Sequence, residues 1–448
     1  MPKDLTIKGR RNFILSFYES LEKTLLIVIA VIFPVVFPLF FGSVSEYLIF
    51  FYYIVISFLA LSKDGYIYAS LVFCIWIFVA FVRRVVDYQL GYDEQSFIML
   101  SPYLASLIGI LKVFKFAFNA WSYISLGLFF ILFYLALGFG FNGPVAAIWD
   151  ALGFLSPIVF VLYIYIELPS ENKHKLMRIA GLLGGGVGLY GVFQYIYVPP
   201  WDAYWMLNIK VISFGLPEPG LIRVFSTMNA PAVYAAYLVF GICCLLGISK
   251  VKYYEMLFVI VMLVALLLTS VRASWGALVI IMSVYFLLSD NVRKINLSLG
   301  LVMVALVILG TLDDDVVDKI SNRFDSLANV SEDYSLLERF NTYGAYMEKA
   351  SLIGEGFGSI GAASGERIDG GYLKLLINFG YLGTGVILAL LIFIFMLAFK
   401  NISSRNGIVW LSFFSTIFIL LIFDNYIYGI YGLLYFLALV FVVDRSSA

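Results

Sequence analysis

Apolar runs long enough to cross a lipid bilayer recur along this chain from about residue 24 to about residue 443. A bilayer core about 30 Å thick takes roughly 20 helical residues at 1.5 Å each. Runs of this kind predict about fourteen spans. They lie at about 24–41, 46–62, 66–82, 97–114, 117–140, 146–168, 176–197, 230–248, 253–270, 273–289, 295–311, 375–399, 407–423 and 426–443. The fourth, around FIMLSPYLASLIGIL, is the weakest and fits the membrane interface as well as the interior, which sets the range at about 12–14. Composition agrees: 62% of the 448 residues are hydrophobic and 13% charged, against about 25% charged in soluble domains. The expected fold is therefore an all-α polytopic membrane protein.

The basic residues set an expected orientation. Lys3, Lys8, Arg10, Arg11 and Lys23 precede the first run, and no small-residue cleavage site follows it. This reads as an uncleaved start with the N-terminus in the cytoplasm. Alternation then places Lys63, Lys112/Lys115, ENKHKLMR, SKVKYY, NVRK and KNISSRNG inside, and each carries Lys or Arg as the positive-inside rule expects. Arg83 and Arg84, in FVRRVVDY, are the exception and fall outside.

Formal charge balances at 29 bases and 29 acids, but residues 312–369 hold twelve acids against five bases. That stretch predicts one large, partly helical extracytoplasmic loop. The expected organisation is N-terminal membrane helices over 1–198, an outer loop over 199–229 and central helices over 230–311. The large loop at 312–374 and C-terminal helices over 375–448 complete it. Cys74, Cys243 and Cys244 sit inside apolar runs as small hydrophobes, and the only histidine, His174, lies in an inner basic loop. A histidine-based metal site or base on the outer side is thereby excluded. No metal or cofactor is expected, and no nucleic acid as partner.

Two outward segments hold most of the unusual chemistry. In residues 199–234, Pro199, Pro200, Pro217 and Pro219 break helices, and Trp201, Tyr204 and Trp205 suit a membrane–water interface. In the large loop, YSLLERFNTYGAYMEKASL reads as an amphipathic helix. Ser335 and Glu338 form a capping box, and Leu336, Phe340, Tyr343 and Met347 form an apolar face. Gly354, Gly356, Gly358 and Gly361 then predict turns lying over the bilayer surface. The hinge TSVRASWG, Thr269 to Gly276, joins two spans with almost no loop. Arg223, Arg272 and Arg339 thus all reach the outer face, where three guanidiniums invite a multi-oxygen anion such as a lipid-linked diphosphate.

Four stretches in order, RVFSTMNAPAVYAAYL, LLLTSVRASWGALV, RFNTYGAY with LIGEGFG, and DGGYLKLLINFGYLGTG, resemble the O-antigen polymerase and ligase family of membrane glycosyltransferases over about residues 220–390. The resemblance implies transfer of a glycan from a polyprenyl diphosphate to an acceptor hydroxyl. It implies Arg223 and Arg272 as holders of the donor diphosphate, and Arg339 as the arginine of the large-loop helix. Ligases of the family carry His-Asn, and polymerases often Asp-Asn, where this chain has Asp369-Gly370; that favours a polymerase. A flippase and a chain-length regulator are partners expected through the resemblance alone.

A diphosphate leaving group needs cations rather than a general acid, and arginines supply them without metal. The acceptor hydroxyl gains about 10²–10⁴ in rate from a base. Asp369 is the first candidate, then Glu366, then Glu218. Trp275 and Tyr372 are candidates for lining the cleft or stacking on sugar rings. The structural readings stand beside these. The arginines reach headgroup phosphates as snorkelling side chains do, Asp369 caps the next helix, Asp313–Asp315 is a solvated acidic stretch, and Gly184–Gly186 permits close helix packing. A transporter or lipid flippase is the rival function, expected to show mid-membrane charges, broken helices and internal repeats.

Overall fold

A computed structural model of the chain describes residues 25, 28–117, 121–209, 212–247, 252–288, 343–361, 368, 370–400 and 405–443. Among these the fold is all-helical, with a single isolated bridge between Gly215 and Ile222. After a π-turn at Val28–Ile32 come α1 (Phe33–Phe41), α2 (Ser45–Lys63), α3 (Gly65–Leu90), α4 (Ser101–Leu107), α5 (Ile110–Ala117), α6 (Trp121–Phe141), α7 (Pro144–Glu167) and α8 (Ser170–Tyr197). Then follow α9 (Pro200–Ile209), α10 (Pro231–Leu246), α11 (Tyr253–Leu268), α12 (Arg272–Leu288), α13 (Gly371–Lys400), α14 (Arg405–Ser415), α15 (Ile417–Leu420) and α16 (Gly429–Val443).

Thirteen of the fourteen expected spans coincide with helical segments, and the eleventh, at about 295–311, lies outside the described residues. Six helical stretches among the described residues are long and apolar enough to cross a membrane, and six more apolar helices run 10–17 residues. The outer helices turn large apolar side chains outward, Phe40 at 76% exposure and Ile392 at 48% among them. In α10, by contrast, almost every side chain is buried. A bundle with its polar contacts inside and its hydrocarbon outside is what a lipid solvent selects.

Some boundaries moved, for local reasons. The basic stretch ENKHKLMR, expected as a loop, forms the first turns of α8, where Arg178 pairs with buried Glu255 of α11 at 2.6 Å. Arg83 and Arg84 lie within the last two turns of α3. The fourth span is divided at Ile108–Gly109 into α4 and α5.

Of the run Gly184–Gly186, Gly184 and Gly185 belong with Gly181 to a face of small residues on α8 that admits α10 and α11, whereas Gly186 is exposed with nothing within 4 Å of its Cβ position. A Cβ on Gly184 would lie 2.8 Å from Met262 Sδ, on Gly181 2.6 Å from Leu245, and on Gly185 2.3 Å from Phe258. The close-packing reading thus holds for Gly184 and Gly185 and not for Gly186.

The glycine-rich segment does not lie over a surface. Residues 356–360 are buried, threaded between α6, α7 and α13. Phe357 is enclosed by Phe154 and Phe379 at ring distances of 5.8 and 5.1 Å. The cause is a break in α13, where Gly380 has φ 62° and ψ −173°. The broken turn leaves carbonyls and amides without helical partners, and the segment supplies them. Glu355 N donates to Ile377 O at 2.9 Å and Gly356 N to Asn378 O at 2.8 Å. Beyond the break, Tyr381 N donates to Ser351 O and Leu382 N to Leu352 O, at 3.2 and 3.1 Å. Buried non-helical backbone is tolerated where its groups find protein partners, as these do.

Candidate functional site

Three groups of polar side chains inside this apolar bundle are joined by one loop, residues 222–230. The first is a buried ion pair. Arg84 Nε lies 2.7 Å from Asp202 Oδ1, with both side chains at most 1% exposed. Arg84 also donates to the carbonyls of Ser226 and Met228 and lies over the rings of Phe225 and Trp205. Asp202 takes two further hydrogen bonds of 2.7 Å, from Tyr190 Oη and Gln194 Nε2. Gln194 Oε1 in turn accepts from Phe225 N and Ser226 N. The arginine that broke the charge pattern is thus the anchor that fixes this loop. Arg83, beside it, pairs with Asp87 at 3.2 Å and donates to Asp93 O.

The second station is the hinge. Arg223 Nε donates to Thr269 O at 3.1 Å, and its other nitrogens donate to Ser213 O and Ser270 O at 3.1 and 3.4 Å. The Arg223 guanidinium therefore lies against the turn that carries Arg272, the first residue of α12. Trp275 is buried and donates Nε1–H to Leu266 O at 3.0 Å, so its ring closes the hinge from within. Val198, Ser226 and Ser270 are the three described non-glycine residues at positive φ. Ser226 lies in the 222–230 loop, Ser270 in the hinge and Val198 at the junction of α8 and α9. Backbone held at that cost of about 1–2 kcal/mol per residue needs surroundings that over-determine it.

The third station is a cavity of about 370 Å³ bounded by α7, α13, α16, the glycine-rich segment and Asn229. On its wall Lys374 Nζ contacts Asp150 Oδ1 at 2.5 Å and sits 3.9 Å from the centre of the Tyr428 ring. Asp150 Oδ2 accepts from Asn378 Nδ2 at 2.6 Å and from Gly358 N at 3.1 Å. Asp150 lies about 9 Å along α7 from its start, at 1.5 Å per residue. The neighbouring wall carries Asp424, which accepts from Tyr431 Oη and Asn425 N, both at 2.7 Å. Asn229 is six residue steps on from Arg223, so hinge and cavity are no more than about 20 Å apart along the chain.

Of the residues singled out in the sequence, Arg223 bonds the turn that precedes Arg272. Tyr372, half-buried, donates to Phe418 O at 2.7 Å at the start of α13. Glu218 is exposed at a turn tip. Arg339, Glu366 and Asp369 lie outside the described residues, although Ile368, just before Asp369, lines the cavity. The amphipathic helix is described over 343–349. There Tyr343 and Tyr346 pack on Ile360, Ile368, Leu373 and Ile377, while Met347, expected on the apolar face, is 52% exposed. Sequence reasoning missed Asp150, Asp202, Gln194, Lys374 and Asn378. The available signal was an ionisable or amide residue standing alone inside an apolar run, as in AAIWDALGF. No family model, curated protein or solved structure matches the chain.

Proposed function

We propose that the protein is a polysaccharide polymerase of a bacterial cytoplasmic membrane. It joins polyprenyl-diphosphate-linked oligosaccharide repeat units at the outer face, with its N-terminus in the cytoplasm. The observation that carries the reading is the approach of Arg223 to the Arg272 turn, held by a strained loop that runs on to a polar cavity. In the reaction an acceptor hydroxyl attacks the anomeric carbon of the donor sugar. The bond from that carbon to the diphosphate oxygen breaks, and the electron pair leaves on the diphosphate. The proton passes to a carboxylate, with Asp369 the first candidate and Glu366 the second. Arg272, with Arg223 and Arg339, faces the charge that develops on the leaving oxygen, and attack opposite to it inverts the anomeric centre.

The test is a glycan gel with purified protein in lipid and polyprenyl-diphosphate-linked repeat units, beside the Arg272→Ala variant. The native protein gives a ladder of chain lengths. The variant, folded by size-exclusion profile, loses about 10²–10³ in rate, as when one group stabilising a developing anion is removed. Full activity in Arg272→Ala would sink the diphosphate clamp. A single transfer onto a lipid core in place of a ladder would make the protein a ligase.

A transporter reading draws on a specific observation, the break in α13 beside the buried Lys374–Asp150 pair. It predicts uptake or flipping of a lipid-linked sugar in proteoliposomes with no new glycosidic bond, which the same gel separates from polymerisation.

A further inference from the structure

The loop 222–230 is fixed more firmly than a mere connection needs. Arg84 donates to the carbonyls of Ser226 and Met228, Gln194 accepts from Phe225 N and Ser226 N, and Arg223 donates to the hinge. Ser226 is held at φ 50°. Backbone kept in a sparsely populated region by several distant residues is the pattern of a loop that serves a site. What this loop presents is Asn229, the residue after Met228, which is exposed and lines the cavity. Its side-chain amide forms no hydrogen bond with any described residue. The same holds for Trp149 Nε1 and Tyr103 Oη on that lining, and neither atom is sealed from solvent. Indole N–H and amide groups inside a protein are ordinarily paired, so three unpaired groups on one lining point to a ligand.

The chemistry of the three groups narrows the choice. An indole N–H only donates, a phenol donates or accepts, and a carboxamide does both. The ligand must therefore offer an acceptor, and a donor beside it satisfies the amide oxygen of Asn229. Val233, Ile360 and Ile430 on the same lining call for an apolar part as well. An acetamido group has all three, in its carbonyl, its N–H and its methyl. A sugar hydroxyl lacks the methyl, and a lipid chain lacks the polar atoms. The Tyr103 and Trp149 rings, with centres 6.3 Å apart, add aromatic faces that attract the polarised C–H side of the sugar carrying that group. At about 370 Å³ the cavity is at the small end of the range for ligand sites, about 300–1,000 Å³, which suits a short saccharide.

We infer that this cavity binds an N-acetylated sugar, and that Asn229 and Trp149 read its acetamido group. Placing that sugar in the polymerised repeat unit rests on the glycosyl-transfer reading; the binding does not.

The experiment is saturation-transfer NMR on the full chain in lipid nanodiscs. The probes are N,N′-diacetylchitobiose and cellobiose, uncharged disaccharides of the same linkage that carry acetamido and hydroxyl respectively at the second carbon. A third probe, N-acetylglycinamide, has the amide without the sugar. The acetyl methyl protons are expected to take the largest transfer. Diacetylchitobiose is expected to bind about tenfold tighter than either other probe, as a further hydrogen bond and a buried methyl supply. Asn229 is exposed and makes no side-chain bond in the fold, so Asn229→Ala keeps native elution and brings the two disaccharides within about threefold. Trp149→Phe keeps a ring face without the N–H and narrows the preference too, whereas Trp149→Ala weakens both disaccharides. Equal binding of the two disaccharides by the native protein overturns the inference, as does no binding of either at millimolar concentration. N-acetylglycinamide binding as tightly as diacetylchitobiose overturns it in favour of a peptide-like ligand. A preference unchanged in natively eluting Asn229→Ala and Trp149→Phe proteins overturns it too. A glycan ladder without the acetamido preference removes this site and leaves the polymerase reading. The preference without a ladder supports the site and removes polymerisation.

Discussion

In the Arg84→Ala variant, the protein either fails to accumulate in the membrane or loses roughly 5–10 °C of thermal midpoint. The substitution leaves Asp202 as an unpaired carboxylate in a site with essentially no exposure. Breaking a buried pair from one side costs about 3–5 kcal/mol, because the remaining charge has neither water nor partner. The Ser226 and Met228 carbonyls lose their donors in the same step, and the rings of Phe225 and Trp205 lose the cation over them. Adding Asp202→Asn removes the stranded charge while keeping an oxygen for Tyr190 and Gln194, so the double variant recovers part of the loss. Arg83→Ala serves as the comparison. Its partner Asp87 is also buried, at 4% exposure, but Arg83 is 14% exposed and bonds one loop carbonyl rather than two, so its loss is expected to be the smaller of the two. Size-exclusion recovery after a temperature ramp reads all four proteins. An Arg84→Ala protein as stable as the native one would show that the loop is fixed by something other than this pair.

Gly356→Ala has a loss of similar size, about 3–5 kcal/mol, by another route. Gly356 has φ +81°, where an L-residue pays about 1–2 kcal/mol. A Cβ there would lie 2.1 Å from Gly138 N and 2.5 Å from Tyr134 O, both backbone atoms of α6 that no rotamer change can clear. Relief requires the segment to withdraw, which takes Phe357 out of its aromatic enclosure and removes the donors to Ile377 O and Asn378 O. Gly140→Ala, on the same helix with nothing within 4 Å of its Cβ, is the control and is expected to be neutral or stabilising by about 0.5–1 kcal/mol. Loss of midpoint in both variants alike would mean that the helix resents any added carbon, not that the segment is threaded there.

The glycines show where reading the sequence ran short. LIGEGFGSIG announces turns, and turns there are, but their position depends on Gly380, which lies beyond the segment in a run that reads as one uninterrupted helix. The hinge was more legible. TSVRASWG shows its tight turn directly, because that follows from local spacing between two apolar runs. What it does not show is that Arg223 grips its carbonyls from 46 residues away. The amphipathic stretch was half legible: Tyr343 faces the packed cluster, while Met347 turns away because Tyr346 and Ala350 take the contact.

By itself the sequence determined that the chain is a bundle of apolar helices and where nearly all of them lie. Helix hydrogen bonds close within four residues, and apolar length is a property of the run alone. Only the tertiary structure decided which polar residues meet. Asp150 and Lys374 are 224 residues apart, and Arg84 reaches Met228 across 144. In an apolar interior a charge is settled by whichever partner the packing delivers, and no local pattern records which partner that is.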